Sequence, residues 1–238
     1  MLIDDVKLPV RDLLGKDITR SKGKMETKIE LDFSTVKLTK NCYPFMAELL
    51  KKNTHLKTLN KLCMENKEHF NAARYGLKEY ELEFVGQRMR ANKNFTKSMD
   101  LTSNILKGEA IFILSRSLNP MPALTKLDLS YNNLGPMGAE YIAKSLEIGD
   151  GLLILKLSYN SLGDEGIICI SKSLIFNNNL EVLDIAGNNI GDKGIKMLAA
   201  ALQKNKSIKK LNLRWNVFGP DSVSLIANAL TLVHNWNL

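Results

Sequence analysis

The sequence predicts an α/β fold in which short strand–turn–helix units stack into a solenoid. Three observations lead to this prediction. One 28-residue pattern recurs five times without a gap, an asparagine holds the same place in every copy, and an apolar segment at helical spacing follows each copy. A single unit of this size cannot bury its apolar side, so neighbouring units must pack together and share one core.

The pattern is clearest in "LTKLDLSYNNLGPMG", which begins at Leu124. It recurs in three later copies as "LLILKLSYNSLGDEG", "LEVLDIAGNNIGDKG" and "IKKLNLRWNVFGPDS", and in one earlier copy as "TKSMDLTSNILKGEA". Leucines such as Leu127 and Leu129 predict a short strand, and the pair Ile142 and Leu146 predicts a helix.

The asparagine follows each predicted strand, where the chain turns and leaves backbone groups without strand partners. A side-chain amide can both donate and accept, so a stacked column of amides can bond these turns. We therefore assign a structural role to the five members of the column: Asn104, Asn132, Asn160, Asn188 and Asn216.

The pattern LxxLxLxxNxLxxxGxxxLxxxL over residues 96–235 resembles the leucine-rich repeats, specifically those of the ribonuclease-inhibitor-like class. The resemblance implies a right-handed solenoid curved like a horseshoe, with parallel strands on the concave side and helices on the convex side. Members of this family commonly bind protein partners on the concave side.

Upstream of the regular repeats the pattern is weaker, and we divide the chain into three parts. Residues 1–27 are an N-terminal capping segment, residues 28–95 are degenerate repeats with a helical insertion, and residues 96–238 are five regular repeats. Phe70, Ala73 and Leu77 are three and four residues apart, which predicts an amphipathic helix in the insertion. This helix either packs on the solenoid or projects as an arm that grips a partner.

The C-terminal end is a second candidate surface. Trp236 falls where a sixth unit would begin, so we expect the last strand and helix to present an apolar end to a partner or to further repeats.

Composition narrows the class of protein. The apolar fraction of 45% and the charged fraction of 24% are those of a folded globular protein. The sequence has no signal-peptide pattern and no apolar run of the roughly 18 residues that a membrane helix needs, so we expect no membrane partner. Three scattered cysteines favour a reducing, cytoplasmic compartment. The basic excess lies mainly in residues 1–95, where 19 Lys and Arg face 13 Asp and Glu.

Candidate binding residues lie between the strand leucines and are expected to point into the concave space. These positions combine carboxylates with a broken row of aromatic residues. Tyr, Trp and Arg dominate the binding energy of many protein interfaces; the alternative is that these are merely tolerated solvent-facing positions. We predict the partner-binding residues to be Asp100, Asp128, Ser130, Tyr131, Lys156, Tyr159, Asp184, Asn212, Arg214 and Trp215.

Catalytic patterns are not found. The histidines His55, His69 and His234 are scattered, no phosphate-binding glycine loop occurs, and Asp128 and Asp184 belong to non-adjacent strands. We therefore expect no enzymatic activity, no cofactor and no metal.

Three functional hypotheses stay open. The first is a protein-interaction scaffold or adaptor, as a structural subunit of a cytoskeletal or ciliary (axonemal) assembly. The second is a regulator of a small GTPase, because the Ran GTPase-activating protein has this repeat class. The third is a ribonucleoprotein subunit that contacts RNA through the basic N-terminal region, which would make binding steeply salt-dependent.

Overall fold

The computed structural model describes residues 68–77, 81–82, 85–86, 89–90, 93–118, 122–149 and 151–233. Every described residue belongs to one compact unit, Tyr43–Leu238. The predicted capping segment 1–27 and the degenerate repeats up to residue 67 lie outside the described residues.

Strands and helices alternate along the chain. Their order is β1 (His69–Asn71), β2 (Ser98–Asp100), α1 (Gly108–Leu118), β3 (Lys126–Asp128), α2 (Gly135–Ile148), β4 (Ile154–Lys156), α3 (Gly163–Leu174), β5 (Val182–Asp184), α4 (Asp192–Leu202), β6 (Lys210–Asn212) and α5 (Pro220–Val233). The six strands form one parallel sheet in the order β1 to β6. From β2 onward the register of each strand pair equals the period of the sequence pattern, and the α/β repeat solenoid is confirmed.

Each three-residue strand from β2 to β5 buries its central side chain and leaves the flanking two half-exposed. Leu127, Leu155 and Leu183 are therefore stacked on the core side of the sheet, because strand side chains alternate between faces. Helix residues such as Ile170 and Leu198 close the same core. The flanking residues lie on the opposite face, which we name the strand face.

The predicted helix beginning at Phe70 is wrong. His69–Asn71 is a strand that pairs with β2, and Phe70 is aligned with Met99, in a register one residue longer than the repeat period. Helical backbone starts only later, at residues 81–82, 85–86 and 89–90. The described residues between 68 and 95 therefore belong to a further strand–turn–helix unit. Its pattern was hidden because Tyr75 stands where the asparagine is expected and because the step is longer.

The asparagine column ties successive turns together. The amide nitrogen of Asn160 donates to the carbonyl oxygens of Leu129 (2.9 Å) and Leu157 (3.0 Å), one in the preceding unit and one in its own. The backbone N–H of Asn160 in turn donates to the side-chain oxygen of Asn188 at 2.9 Å. Asn104, Asn132 and Asn216 make the same kinds of bond. At the turn, the asparagine column thus supplies the hydrogen bonds between units that the strands supply in the sheet.

Two further asparagines, one repeat apart, make hydrogen bonds at the opposite turn, where each helix returns to the sheet. Asn177 donates to the carbonyl of Leu146, and Asn205 donates to the carbonyls of Leu174 and Asn177. The side-chain oxygen of each accepts two backbone N–H groups of its own turn. Sequence reasoning missed this pair, because the equivalent position one unit earlier is Gly149.

Two aspartates act across the boundary between units. Asp164 accepts the backbone N–H groups of Gly191 (2.7 Å) and Gly194 (3.1 Å) at the start of α4. Asp192 accepts from the Gly219 N–H (2.8 Å) and the Ser222 hydroxyl at the start of α5. Each carboxylate therefore satisfies helix-start donors of the following unit.

The last described unit is less buried than the others. Val223 of α5 is exposed, whereas its equivalent one unit earlier, Ile195, is fully buried. Leu211 and Leu213 are half-buried, whereas Leu183 is buried completely. Trp236, on which the prediction of an open end was based, lies outside the described residues.

Candidate functional site

The strand face carries a groove of about 330 Å³ that crosses strands β3 to β6. The structure brings nine of the ten predicted binding residues to its walls, and Asp100 is the one that does not line it. Thr102, Ser158 and Ala186 also line the groove and are not among the ten. They occupy the same column of the repeat as Ser130 and Arg214, each directly after a buried Leu or Ile, so alternation places them on the strand face.

The acidic column of the site has backbone partners. The carboxylates of Asp100, Asp128 and Asp184 each accept the N–H two residues further on, at 3.0, 3.1 and 3.2 Å. Asn212 makes the same bond to its own turn at 3.2 Å. This short loop explains why Asp and Asn recur in the column, since their side chains mimic a backbone turn. These side chains therefore stabilise the strand ends whether or not they bind a partner.

Lys156 is the exception in the acidic column, and it is partly neutralised. Its ammonium lies 3.6 Å from a carboxylate oxygen of Asp128 on the neighbouring strand. On the next strand Asp184 accepts a short hydrogen bond of 2.5 Å from the hydroxyl of Ser158. The polar side chains in the middle of the groove are therefore paired with one another.

Aromatic rings form the most exposed part of the groove. Tyr131 and Tyr159 stack with ring centroids 4.7 Å apart and an interplanar angle of 14°. Their exposed fractions are 55% and 39%, and that of Trp215 is 77%. Gly187 occupies the equivalent position between Tyr159 and Trp215. A Cβ there would lie 2.5 Å from the Tyr159 ring, so the glycine makes room for the tyrosine.

These aromatic residues adopt an unfavourable backbone conformation. The φ angles of Tyr131, Tyr159 and Trp215 are 57°, 56° and 61°, in the left-handed region that favours glycine. The left-handed conformation costs an L-residue roughly 1–2 kcal/mol, and bulky residues rarely occupy it. The same turn position has a positive φ in the other units as well, at Arg74, Ser103 and Gly187, so the repeat geometry imposes this conformation. What distinguishes the three aromatic residues is that large rings occupy this position and stay 39–77% exposed.

Metal chemistry has no support in the described residues, because no group of three or more His, Cys, Asp and Glu side chains there could hold a metal ion. His69 lies at the edge of the strand face, where its ring nitrogen is 2.8 Å from the hydroxyl of Ser98.

A family comparison agrees with the repeat geometry. The description "Leucine Rich repeat" matches residues 122–143, 152–171, 176–199 and 204–227. These repeats are leucine-rich repeats. Each matched segment contains one strand of the sheet, from β3 in the first segment to β6 in the last. Leucine-rich repeats suggest a protein-interaction role for the strand–turn–helix array.

Two solved structures share the fold of these leucine-rich repeats. The leiomodin-1 actin-binding site 2 is 20% identical, covers 62% of this chain and 86% of its own, and has a TM-score of 0.54. The tropomodulin C-terminal domain of Caenorhabditis elegans is 15% identical, covers 64% of this chain and 92% of its own, and has a TM-score of 0.55. No curated protein sequence is significantly similar. No described helix is long and apolar enough to cross a membrane.

Proposed function

We propose that this leucine-rich repeat protein is a non-enzymatic scaffold or adaptor that binds a protein partner through the strand-face groove. The aromatic cluster, which we define as Tyr131, Tyr159 and Trp215, is the observation that supports this proposal most directly. Its rings are partly to largely exposed in the free chain, and burial against a partner would remove this apolar area from water.

The groove has the composition of a protein-binding surface. Aromatic rings offer rigid area with little side-chain entropy to lose, and the paired Asp128 and Lys156 offer polar contacts around them. The strand backbone beneath is a parallel sheet, so the surface is formed before the partner arrives and little ordering energy opposes binding.

A cytoskeletal or ciliary assembly is the proposed setting. One of the two similar structures is an actin-binding site of leiomodin-1, which makes actin the first partner to test. The fold similarity at 20% identity supports the choice of test and carries no residue-level transfer.

The test is affinity capture from native cells with three proteins. These are the unaltered chain, the triple variant Tyr131→Ala, Tyr159→Ala, Trp215→Ala, and a control variant Met137→Ala, Ile148→Ala, Phe176→Ala. The control removes three exposed apolar side chains that lie outside the groove. Circular dichroism and thermal unfolding establish that all three are folded.

We expect the aromatic variant to lose the captured partner and the control to keep it. A partner kept by both variants means that the groove is not the binding surface. Co-sedimentation with purified actin filaments is run in parallel. A partner other than actin keeps the scaffold proposal and removes actin.

A further inference from the structure

A basic cluster lies in the last described repeat. Residues 203–215 contain five basic residues and no acidic one: Lys204, Lys206, Lys209, Lys210 and Arg214. All five are exposed. Lys209 pairs with Glu181 at 2.5 Å, and no other member of the five has an ion pair within the described part of the chain. The cluster therefore offers charge that its own surroundings do not neutralise.

Two members of this cluster lie on the strand face, and one of them, Arg214, lines the groove. Lys210, Asn212 and Arg214 alternate along β6 and its continuation, so their side chains lie on the strand face. At about 3.3 Å per residue, the Cα atoms of the two cations are about 13 Å apart. Trp215 follows directly; its side chain is exposed and its backbone has a left-handed conformation. We name Lys210, Arg214 and Trp215 the basic strip.

The chemistry of the basic strip selects its ligand. The guanidinium of Arg214 is a planar fork that binds a carboxylate through two parallel hydrogen bonds. The indole of Trp215 provides a large apolar surface beside it. We infer that the basic strip docks an acidic polypeptide segment, with two carboxylates three or four residues apart and an apolar side chain that packs on Trp215. The inference rests on the proposed function, since it names the partner chemistry at one end of the same groove.

The neighbouring strands favour a polypeptide over a nucleic acid. Asp100, Asp128 and Asp184 lie on the same face of strands β2, β3 and β5, and Lys156 offsets one of these charges. A single-stranded RNA carries a phosphate at every nucleotide, so its backbone would meet these carboxylates once it left β6. A polypeptide can place acidic residues over the basic strip and neutral or basic residues over the rest of the groove.

The test selects random 12-residue peptides, displayed on phage, on four immobilised proteins. They are the unaltered chain, Lys210→Glu with Arg214→Glu, Lys193→Glu with Lys196→Glu, and Tyr131→Ala with Tyr159→Ala. The second pair of reversals is the matched control, because Lys193 and Lys196 are exposed on α4 and do not line the groove. The strongest peptide is then synthesised, and its affinity for each protein is measured.

We expect acidic peptides with carboxylates three or four positions apart. Reversal of Lys210 and Arg214 should weaken the synthesised peptide by at least about tenfold, and the control should stay within about twofold. A labelled 20-nucleotide single-stranded RNA should bind far more weakly than the peptide.

The outcomes separate the inference from the proposed function. Acidic peptides that bind the Lys210 and Arg214 variant equally well overturn the inference, and the proposed function stands if the tyrosine variant weakens them. Failure to enrich any peptide also overturns the inference, while affinity capture still decides the proposed function. Peptides that ignore both groove variants contradict both. RNA that outcompetes the peptide, with a steep salt dependence, overturns the inference in favour of a nucleic acid.

Discussion

Replacing Asn188 with alanine should remove a large part of the stability of the array. The Asn188 side chain is completely buried and makes three hydrogen bonds of 3.1 Å or less: its amide donates to the carbonyls of Leu157 and Ala186, and its oxygen accepts the N–H of Asn160. It also accepts the N–H of Leu162 at 3.4 Å. Alanine leaves the N–H groups of Asn160 and Leu162 without this acceptor, whereas the Leu157 carbonyl keeps the Asn160 amide and the Ala186 carbonyl keeps the Tyr159 N–H. At roughly 1–3 kcal/mol for each unsatisfied group, the expected loss is about 4 kcal/mol.

Urea unfolding followed by circular dichroism measures this loss. The matched control is Asn133→Ala, since Asn133 is exposed and its side chain makes no hydrogen bond within the described residues; it should change the free energy of unfolding by less than about 0.5 kcal/mol. A loss below about 1 kcal/mol for Asn188→Ala, with an unchanged denaturant slope, would mean that water or rearranged backbone satisfies the turn and that the column is not essential.

Three further changes test other parts of the molecule. Trp215→Asn should leave the free energy of unfolding unchanged or raise it by up to about 1 kcal/mol, because asparagine tolerates the left-handed backbone. The same change should abolish partner binding. A clear destabilisation would instead show that the Trp215 ring packs within the fold. Gly187→Ala should destabilise by roughly 1–2 kcal/mol in thermal unfolding and displace the Tyr159 ring, because φ is 64° and the new Cβ meets that ring; an unperturbed tyrosine fluorescence signal would contradict this. The hydrogen bond from the Ser222 hydroxyl lowers the pKa of Asp192 below its ordinary value. The stabilising contribution of this carboxylate should therefore be present at neutral pH and disappear as the pH falls through that lowered pKa. Unfolding curves of the wild type and Asp192→Asn should accordingly converge in acid, and a difference between them that does not depend on pH would refute the assignment.

The regular part of the fold could be predicted because one period repeats every constraint. The leucines, the asparagine and the helix spacing recur once in every unit, so errors in a single copy are corrected by the others. Residues 68–95 lack this protection. Tyr75 stands in the asparagine position of this unit. Phe70 and Leu77 are seven residues apart, and this spacing fits two turns of a helix as well as a strand followed by a turn.

The candidate site was predictable in position but not in function. The 28-residue period places Tyr131, Tyr159 and Trp215 in one column, and the structure adds the ring stacking and the positive φ angles at the end of the strand. The second role of the aspartates, as acceptors of their own turns, depends on backbone geometry that the sequence does not specify. Two members of the basic strip, Arg214 and Trp215, were predicted as binding residues, and Lys210 was not. The positions equivalent to Lys210 in the two preceding units are Ile154 and Val182, so its column carries no consistent charge.

The bonds between units run in both directions along the array, and this restricts how such a protein can change length. Asn188 serves the turn of the unit before it, while Asp192 holds the helix start of the unit after it. If a whole unit is removed, its two neighbours can pack together with matching hydrogen-bond donors and acceptors. An insertion or deletion between the asparagine and the helix start shifts one set of partners against the other and leaves both unsatisfied. The 29-residue step from β1 to β2 keeps the bonds of Asn104 to the turn before it, so the extra residue lies after Leu77. We therefore expect the segment from strand to helix start to keep its length in natural variants of this array, and whole repeats to be gained or lost together.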